Sequence, residues 1–181
     1  MIKSAYSFSN KKEKIESHII VVWVDNESGV LARVIGLFSG RGYNIDSLAV
    51  AEVDKKKNIS RITISTSGTQ QVLQQIKLQL GKLVPVHKVA DFPANKKTLL
   101  REMALIKIVS AKTQLEKAKK LCKKYKYTVI DRTQKSYVFE VSALKKDIDQ
   151  LLKKLQPLGL ASVSRTGVVA MTKGSGFYKQ N

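Results

Sequence analysis

The apolar residues of this chain change their spacing in the same order twice, and that repeat restricts the fold more than any other feature. His18 to Val24 is an unbroken apolar run rich in β-branched residues, the composition of a buried strand. From Ser28 to Arg41 the spacing becomes helical. Leu31, Val34, Ile35 and Phe38 are predicted on the inner face, and Gly40 and Gly42 end the helix. Tyr43 to Val53 reads as extended, with Ile45, Leu48 and Val50 among its apolar positions. Asp54 to Asn58, with Lys55, Lys56 and Lys57, reads as a solvated hairpin turn. Ile59 to Thr66 alternates, Ile62 and Ile64 on one face and Arg61, Thr63 and Ser65 on the other, which predicts a half-exposed strand. A second helix is predicted over Thr69 to Leu80 through Val72, Leu73, Ile76 and Leu80, and a strand over Leu83 to Ala90.

Asp91 to Arg101 contains Pro93 and two adjacent lysines and reads as a linker. The order then returns. Met103 to Val109 is a predicted strand, and Thr113 to Lys124 a helix through Leu115, Ala118 and Cys122. Tyr127 to Asp131 and Ser136 to Val141 are strands, and Leu144 to Leu155 is a helix through Ile148, Leu151, Leu152 and Leu155. Gly159 is a stop, and Leu160 to Arg165 is extended. Each half is therefore a split βαβ unit, a four-stranded antiparallel sheet with two helices on one face. The fold class is α+β, two tandem ferredoxin-like (βαββαβ) domains. The boundaries are residues 1–17 as a flexible extension, 18–90 and 102–174 as the domains, 91–101 as the linker and 175–181 as a tail. The open face of each sheet needs cover from a partner sheet, a partner chain or RNA. Units of about 85 residues sit near the low end of self-sufficient size, so oligomerisation is expected.

Hydrophobic residues make up 43% of the 181, enough for a core. The net charge of +19 raises the question of nucleic acid. Its make-up argues against that partner: 27 of the 33 basic residues are lysine and 6 are arginine, whereas phosphate clamping and base reading favour arginine. An AT-rich genome, such as that of a plastid, produces lysine at this frequency. Thirteen basic and seven acidic residues precede position 91, against twenty and seven after it, so the second half is the more basic. Cys122 is the only cysteine, which excludes an intramolecular disulfide and a cysteine-rich zinc site and suggests buried filler. No apolar run approaches membrane-spanning length. The first 17 residues are polar, lack an apolar signal core and carry Glu13 and Glu16. They predict a loose extension on a protein made in the compartment where it works.

The run Asp25-Asn26-Glu27-Ser28-Gly29-Val30-Leu31 joins the first strand to the first helix. A turn there aims free backbone N–H groups out of a helix start, which behaves as about half a positive charge and attracts anions. Gly29 allows a ligand to approach the backbone, and Asn26 can donate and accept hydrogen bonds. The N–H groups of Gly29, Val30 and Leu31 suit a carboxylate, the Asn26 amide oxygen or backbone carbonyls suit an ammonium, and Leu31 with Ile45 supplies a small apolar wall. The combination fits a free amino acid, and no nucleophile stands among these residues. His18 and His87 read as strand residues rather than catalysts, and Trp23 as core or interface. No phosphate-binding loop, Ser/His/Asp arrangement or metal-ligand cluster is present.

The stretch Asn26-Glu27-Ser28-Gly29-Val30-Leu31-Ala32-Arg33-Val34, followed by Gly36-Leu37-Phe38 and Arg41-Gly42-Tyr43-Asn44-Ile45-Asp46-Ser47-Leu48, resembles the small subunit of acetolactate synthase, whose N-terminal part is an ACT domain. The likeness continues through Ser60-Arg61-Ile62-Thr63-Ile64, Arg101-Glu102-Met103-Ala104-Leu105-Ile106-Lys107 and Ser164-Arg165-Thr166-Gly167-Val168-Val169-Ala170, and covers nearly everything from residue 18 to 174. It implies a non-catalytic regulatory subunit that stimulates a large catalytic subunit, makes 2-acetolactate production sensitive to feedback, and binds no cofactor itself. Thiamine diphosphate, Mg2+ and FAD are implied on the large subunit. It further implies a homodimer formed through the ACT domains. A branched-chain amino acid, commonly valine, would sit between Asn26, Ser28, Gly29, Val30 and Leu31 of one chain and Asn44 and Ile45 of the other. The expected location is the plastid stroma, or alternatively a bacterial cytoplasm. The competing class is an RNA-binding ferredoxin-like protein; Ile59 to Thr66 carries no aromatic for base stacking, and Tyr137 and Phe139 lie on a strand of the second half without a Gly-rich signature around them.

Overall fold

The computed structural model describes residues 15–92 and 98–175. The first half runs β1 (Glu16–Asp25), α1 (Val30–Ser39), β2 (Ser47–Asp54), β3 (Ile59–Gly68), α2 (Gln70–Leu80) and β4 (Val86–Phe92). Its sheet has the order β2-β3-β1-β4, antiparallel throughout. The second half runs β5 (Thr98–Val109), α3 (Lys112–Cys122), β6 (Lys126–Arg132), β7 (Ser136–Ala143), α4 (Lys145–Leu155) and β8 (Leu160–Arg165), in the order β6-β7-β5-β8. A ninth strand, β9 (Val169–Thr172), pairs with the first four residues of β5. The predicted α+β class and both βαββαβ units are present. Residues 1–14, 93–97 and 176–181, which include most of the expected extension, the centre of the expected linker and most of the tail, lie outside the described residues.

Each half buries one sheet face under its two helices, as period-2 strands and 3.6-period helices require. Ile20, Val22, Val24, Ile62 and Ile64 meet Val30, Val34, Phe38, Ile76 and Leu80 in the first core. Ala104, Ile106, Ile108, Tyr137, Phe139 and Val141 meet Leu115, Ala118, Cys122, Ile148, Leu151 and Leu155 in the second. Burial pushes the Cys122 thiol up to about 12, so it is packing and not a reactive group. Leu31 was expected inward and is not. The helix begins at Val30 rather than Ser28; its buried stripe is Val30, Val34 and Phe38, and Leu31, in the first turn at the edge of that stripe, is exposed.

The open face of the first sheet is not exposed either. Ile19, Val21, Trp23, Ile59, Ala90 and Phe92 are capped by Val168 and Ala170, with Leu100 against them. The cover is the β5–β9 ribbon, supplied by the second half of the same chain. Arg61 threads between the Trp23 and Phe92 rings, 5.4 and 5.9 Å from their centres, and donates to the Ala170 carbonyl. Thr63 and Ser65, expected on an exposed face, are buried beneath the ribbon. The stretch read as a linker thus contributes strand at both ends: β4 runs on through Asp91 and Phe92, and β5 begins at Thr98.

The two halves also touch at Ser47, whose hydroxyl accepts from the Val168 N–H at 3.4 Å. Gly167, at φ +78°, lies so close to Ser47 that a Cβ there would come within 3.2 Å of the serine Cβ. Beside this contact, Arg165 grips the buried Glu102 carboxylate with two bonds of 2.7 Å and Asp149 with one of 2.6 Å. Such a fork satisfies a buried acid that would otherwise be costly.

Candidate functional site

Strand β1 ends at Asp25, whose N–H donates to the Pro85 carbonyl, and Asn26 N–H donates to the Asn58 carbonyl. These bonds fix the chain's exit from the sheet. Four exposed residues then turn it into α1. Gly29 is the residue before the helix, at φ 83° and ψ −11°, a left-handed conformation that costs a glycine nothing and most other residues about 1–2 kcal/mol. No side chain caps the helix. The Val30 N–H turns back to the Glu27 carbonyl at 3.3 Å, while the Gly29, Leu31 and Ala32 N–H groups meet no acceptor among the described residues. Of the three predicted donors, Val30 is therefore already engaged, and its side chain belongs to the core. Ala32 was missed, because which N–H the turn consumes depends on its dihedral angles and not on residue type.

The Asn26 amide also differs from expectation. Its oxygen accepts from the Ser60 hydroxyl at 3.0 Å, and its carbonyl accepts from Asn58 at 3.3 Å. The free part of the side chain is the NH2, a donor that suits a carboxylate better than an ammonium. Ser28 lies exposed in the turn, Leu31 projects outward, and a Cβ on Gly29 would meet nothing within 4 Å. The turn is an open shelf of donors with one apolar side chain at its edge.

Asn44 and Ile45 lie in the segment that leads into β2. The Asn44 carbonyl accepts from Thr66 at 2.6 Å and its amide donates to Asp46 at 2.7 Å, while Ile45 is half-buried against the first core. They follow α1 in the chain. The two cavities between the halves, of about 680 and 370 Å³, include neither group. Strand β2 is an outer strand of its sheet, and Val50 and Val53 on it are 45% and 44% exposed. An eight-residue edge strand of this kind is a template for pairing with another chain.

The histidines have partners that the sequence did not announce, because both lie across the sheet. His18 Nδ1 is 2.9 Å from Asp91, which also binds Lys77 at 3.1 Å, and His87 Nε2 is 2.6 Å from Asp25. Tyr137 and Phe139, the aromatics that favoured RNA, face the helices and pack edge to face with ring centres 5.9 Å apart. Neither can stack on a base. Among the described residues no group of three potential metal ligands occurs, and no helix is long and apolar enough to cross a membrane.

Comparison with known proteins bears directly on this arrangement. Residues 20–88 match the family described as the AHAS small subunit-like ACT domain, and residues 101–174 the small subunit of acetolactate synthase. The acetolactate synthase isozyme 3 small subunit of Salmonella typhimurium is 39% identical over 157 residues, covering 86% of this chain and 95% of that protein. The small subunit of Aquifex aeolicus is 35% identical over 164 residues, covering 90% and 84%. In structure, the Thermotoga maritima small subunit superposes with a TM-score of 0.80 at 30% identity, over 89% of this chain and 99% of that one. The chain belongs to the acetolactate synthase small-subunit family, the regulatory and non-catalytic partners of that enzyme's catalytic subunit.

Proposed function

We propose that this chain stimulates the thiamine-diphosphate-dependent catalytic subunit of acetolactate synthase and makes it sensitive to a branched-chain amino acid, valine foremost. The observation that carries the reading is the exposed start of α1, where the Gly29, Leu31 and Ala32 N–H groups and the Asn26 NH2 meet no acceptor among the described residues. A carboxylate satisfies such donors. Leu31 offers the aliphatic side chain a surface. The second wall comes from outside the turn: a partner chain paired along β2 brings its own Asn44 and Ile45, which lie just before that strand. The functional unit is then a dimer with two half-sites completed across its axis.

Hydrogen bonds to charged groups contribute about 1.5–3 kcal/mol each, and burial of a valine-sized side chain roughly 1.5–3 kcal/mol. Against an association cost of at least about 4 kcal/mol, these terms give micromolar to millimolar binding. Coupling of about 1–3 kcal/mol between this site and the enzyme suffices for feedback. Thiamine diphosphate, Mg2+ and FAD belong, on this reading, to the catalytic subunit. The place of action is wherever that subunit resides, the plastid stroma or a bacterial cytoplasm.

Calorimetry with valine, leucine and isoleucine tests the assignment. Saturable heat with at least one of them is expected, together with inhibition of acetolactate formation by the reconstituted enzyme. Gly29→Asp places a carboxylate where the ligand's carboxylate binds, in open space and at a φ that aspartate tolerates. The variant should keep its fold and its stimulation of the catalytic subunit and lose both the heat and the inhibition. Undiminished valine sensitivity in Gly29→Asp would remove the site.

A further inference from the structure

The excess positive charge is not spread evenly, and its distribution follows the fold. Between Lys112 and Lys126, that is α3 and the turn into β6, the chain carries seven lysines and one acid. The corresponding helix of the first half, α1, carries one basic residue, Arg33, and α2 carries five glutamines, four of them exposed, and a single lysine. That lysine, Lys77, is paired with Asp91. A codon bias acts on both halves alike. It accounts for a general preference for lysine over arginine, but not for glutamine on one helix layer and lysine on the other.

The lysines of α3 add little to the fold. None forms an ion pair among the described residues, and the one acid on the helix, Glu116, is taken by the Tyr137 hydroxyl at 2.9 Å. Lys119 with Lys123 and Lys120 with Lys124 stand four residues apart, a spacing at which like charges on a helix repel. Lys112 stands at the helix start, where the macrodipole also disfavours it, and only Lys119 and Lys120 lie in the last turn where it helps. Leu115, Ala118 and Cys122 take the buried stripe, so the rest of the surface is a band of exposed ammonium groups.

We infer that the outer face of α3 and the α3–β6 turn form the docking surface for an acidic patch on the catalytic subunit. The inference uses the family's pairing with that subunit and is independent of the amino-acid site on α1. The chemistry favours a protein over a nucleic acid. The stretch from Glu102 to Asp131 contains no arginine, and its tyrosines are packed against the core rather than offered for stacking. Mobile, strongly hydrated ammonium groups suit steering of an oppositely charged surface, which acts on the association rate and weakens with salt.

The test compares two triple variants of equal charge change. Lys117→Glu/Lys120→Glu/Lys124→Glu alters the α3 band, and Lys55→Glu/Lys56→Glu/Lys57→Glu alters the hairpin turn between β2 and β3. Association with the purified catalytic subunit is followed by interferometry at low and high KCl. The α3 variant should associate at least about tenfold more slowly at low salt, with the gap closing at high salt. The hairpin variant should stay within about twofold of the parent. Equal slowing by both variants would reduce the effect to net charge and overturn the proposal, as would no slowing by the α3 variant. Binding of a 20-nucleotide RNA that the α3 variant loses, with catalytic-subunit association unchanged, would overturn it in favour of nucleic acid. If the glutamate variant melts early, Lys117→Gln/Lys120→Gln/Lys124→Gln carries the same comparison with about a threefold expected effect. Valine calorimetry on the same α3 variant should match the parent, which keeps this result separate from the effector reading.

Discussion

In the first half, the chain leaves its opening strand through four residues, Asn26 to Gly29, before α1 begins. In the second half, it leaves β5 through Ser110 and Ala111 alone before α3. Ala111 sits at an ordinary extended conformation, φ −64° and ψ 152°, where Gly29 has φ 83°. The strand ends are tied off in the same way, Asp25 N–H to the Pro85 carbonyl in one half and Val109 N–H to the Gly159 carbonyl in the other, each at 2.9 Å. What differs is the space left over. A Cβ on Gly159 would lie 2.4 Å from the Val109 oxygen, whereas one on Gly29 would touch nothing. One topology thus yields a packed junction in one half and an open shelf of donors in the other. The difference comes from two extra residues and a left-handed glycine, not from the arrangement of strands and helices.

Alanine at the two glycines tests that distinction most severely. Gly159→Ala combines a disfavoured φ with a backbone clash and should cost about 3 kcal/mol or more, read as a shift in the urea midpoint. Gly29→Ala has the disfavoured φ without the clash and should cost about 1 kcal/mol. Equal losses would break the comparison between a glycine held by packing and one held open.

The ribbon gives the next largest effect. The first sheet depends on the second half for its cover, so the two halves are not independent. Val168→Ala, beneath the ribbon, should cost about 2 kcal/mol. Trp23 is the only tryptophan and lies under the ribbon, so its emission should shift red in that variant while the second core keeps its packing. An unchanged spectrum with unchanged stability would mean that the ribbon is not a structural cover.

The order of elements was legible because each one long enough to show a period did so. The ribbon was not. Val169 to Thr172 is four residues, too short for any period, and Thr98 to Arg101 follows a lysine pair that reads as linker. At the candidate site the location of the turn was legible from Asn26, Ser28 and Gly29, because turn chemistry is local. Its hydrogen bonding was not. Ser60, which takes the Asn26 oxygen, is 34 residues away, and Asp91, which holds His18, is 73 away. Val34 and Phe38 were placed inward correctly from their spacing, whereas Leu31 was not: it lies in the first turn, at the edge of the buried stripe, where the partner surface ends and periodicity alone gives no sign of it.

The smallest effect concerns how the second half closes around Arg165. Burial alone raises the Asp149 carboxyl, but hydrogen bonds from Arg165 and Lys145 outweigh it and hold the group below the usual carboxylate range. An acid lowered in this way stabilises the fold above its unfolded value and loses that contribution as pH falls through the folded one. Asp149 is 38% exposed, so solvent screens much of the interaction and Asp149→Asn should cost only about 0.5 kcal/mol at pH 7. The gap between parent and variant in urea should shrink as pH drops below the ordinary carboxylate range, near 3.9. The first half, whose open face is closed by apolar side chains and by Arg61 on two aromatic rings, has no such dependence at this junction. A gap that persists at pH 2 would show that Asp149 acts through packing, and the electrostatic contrast between the two closures would fail.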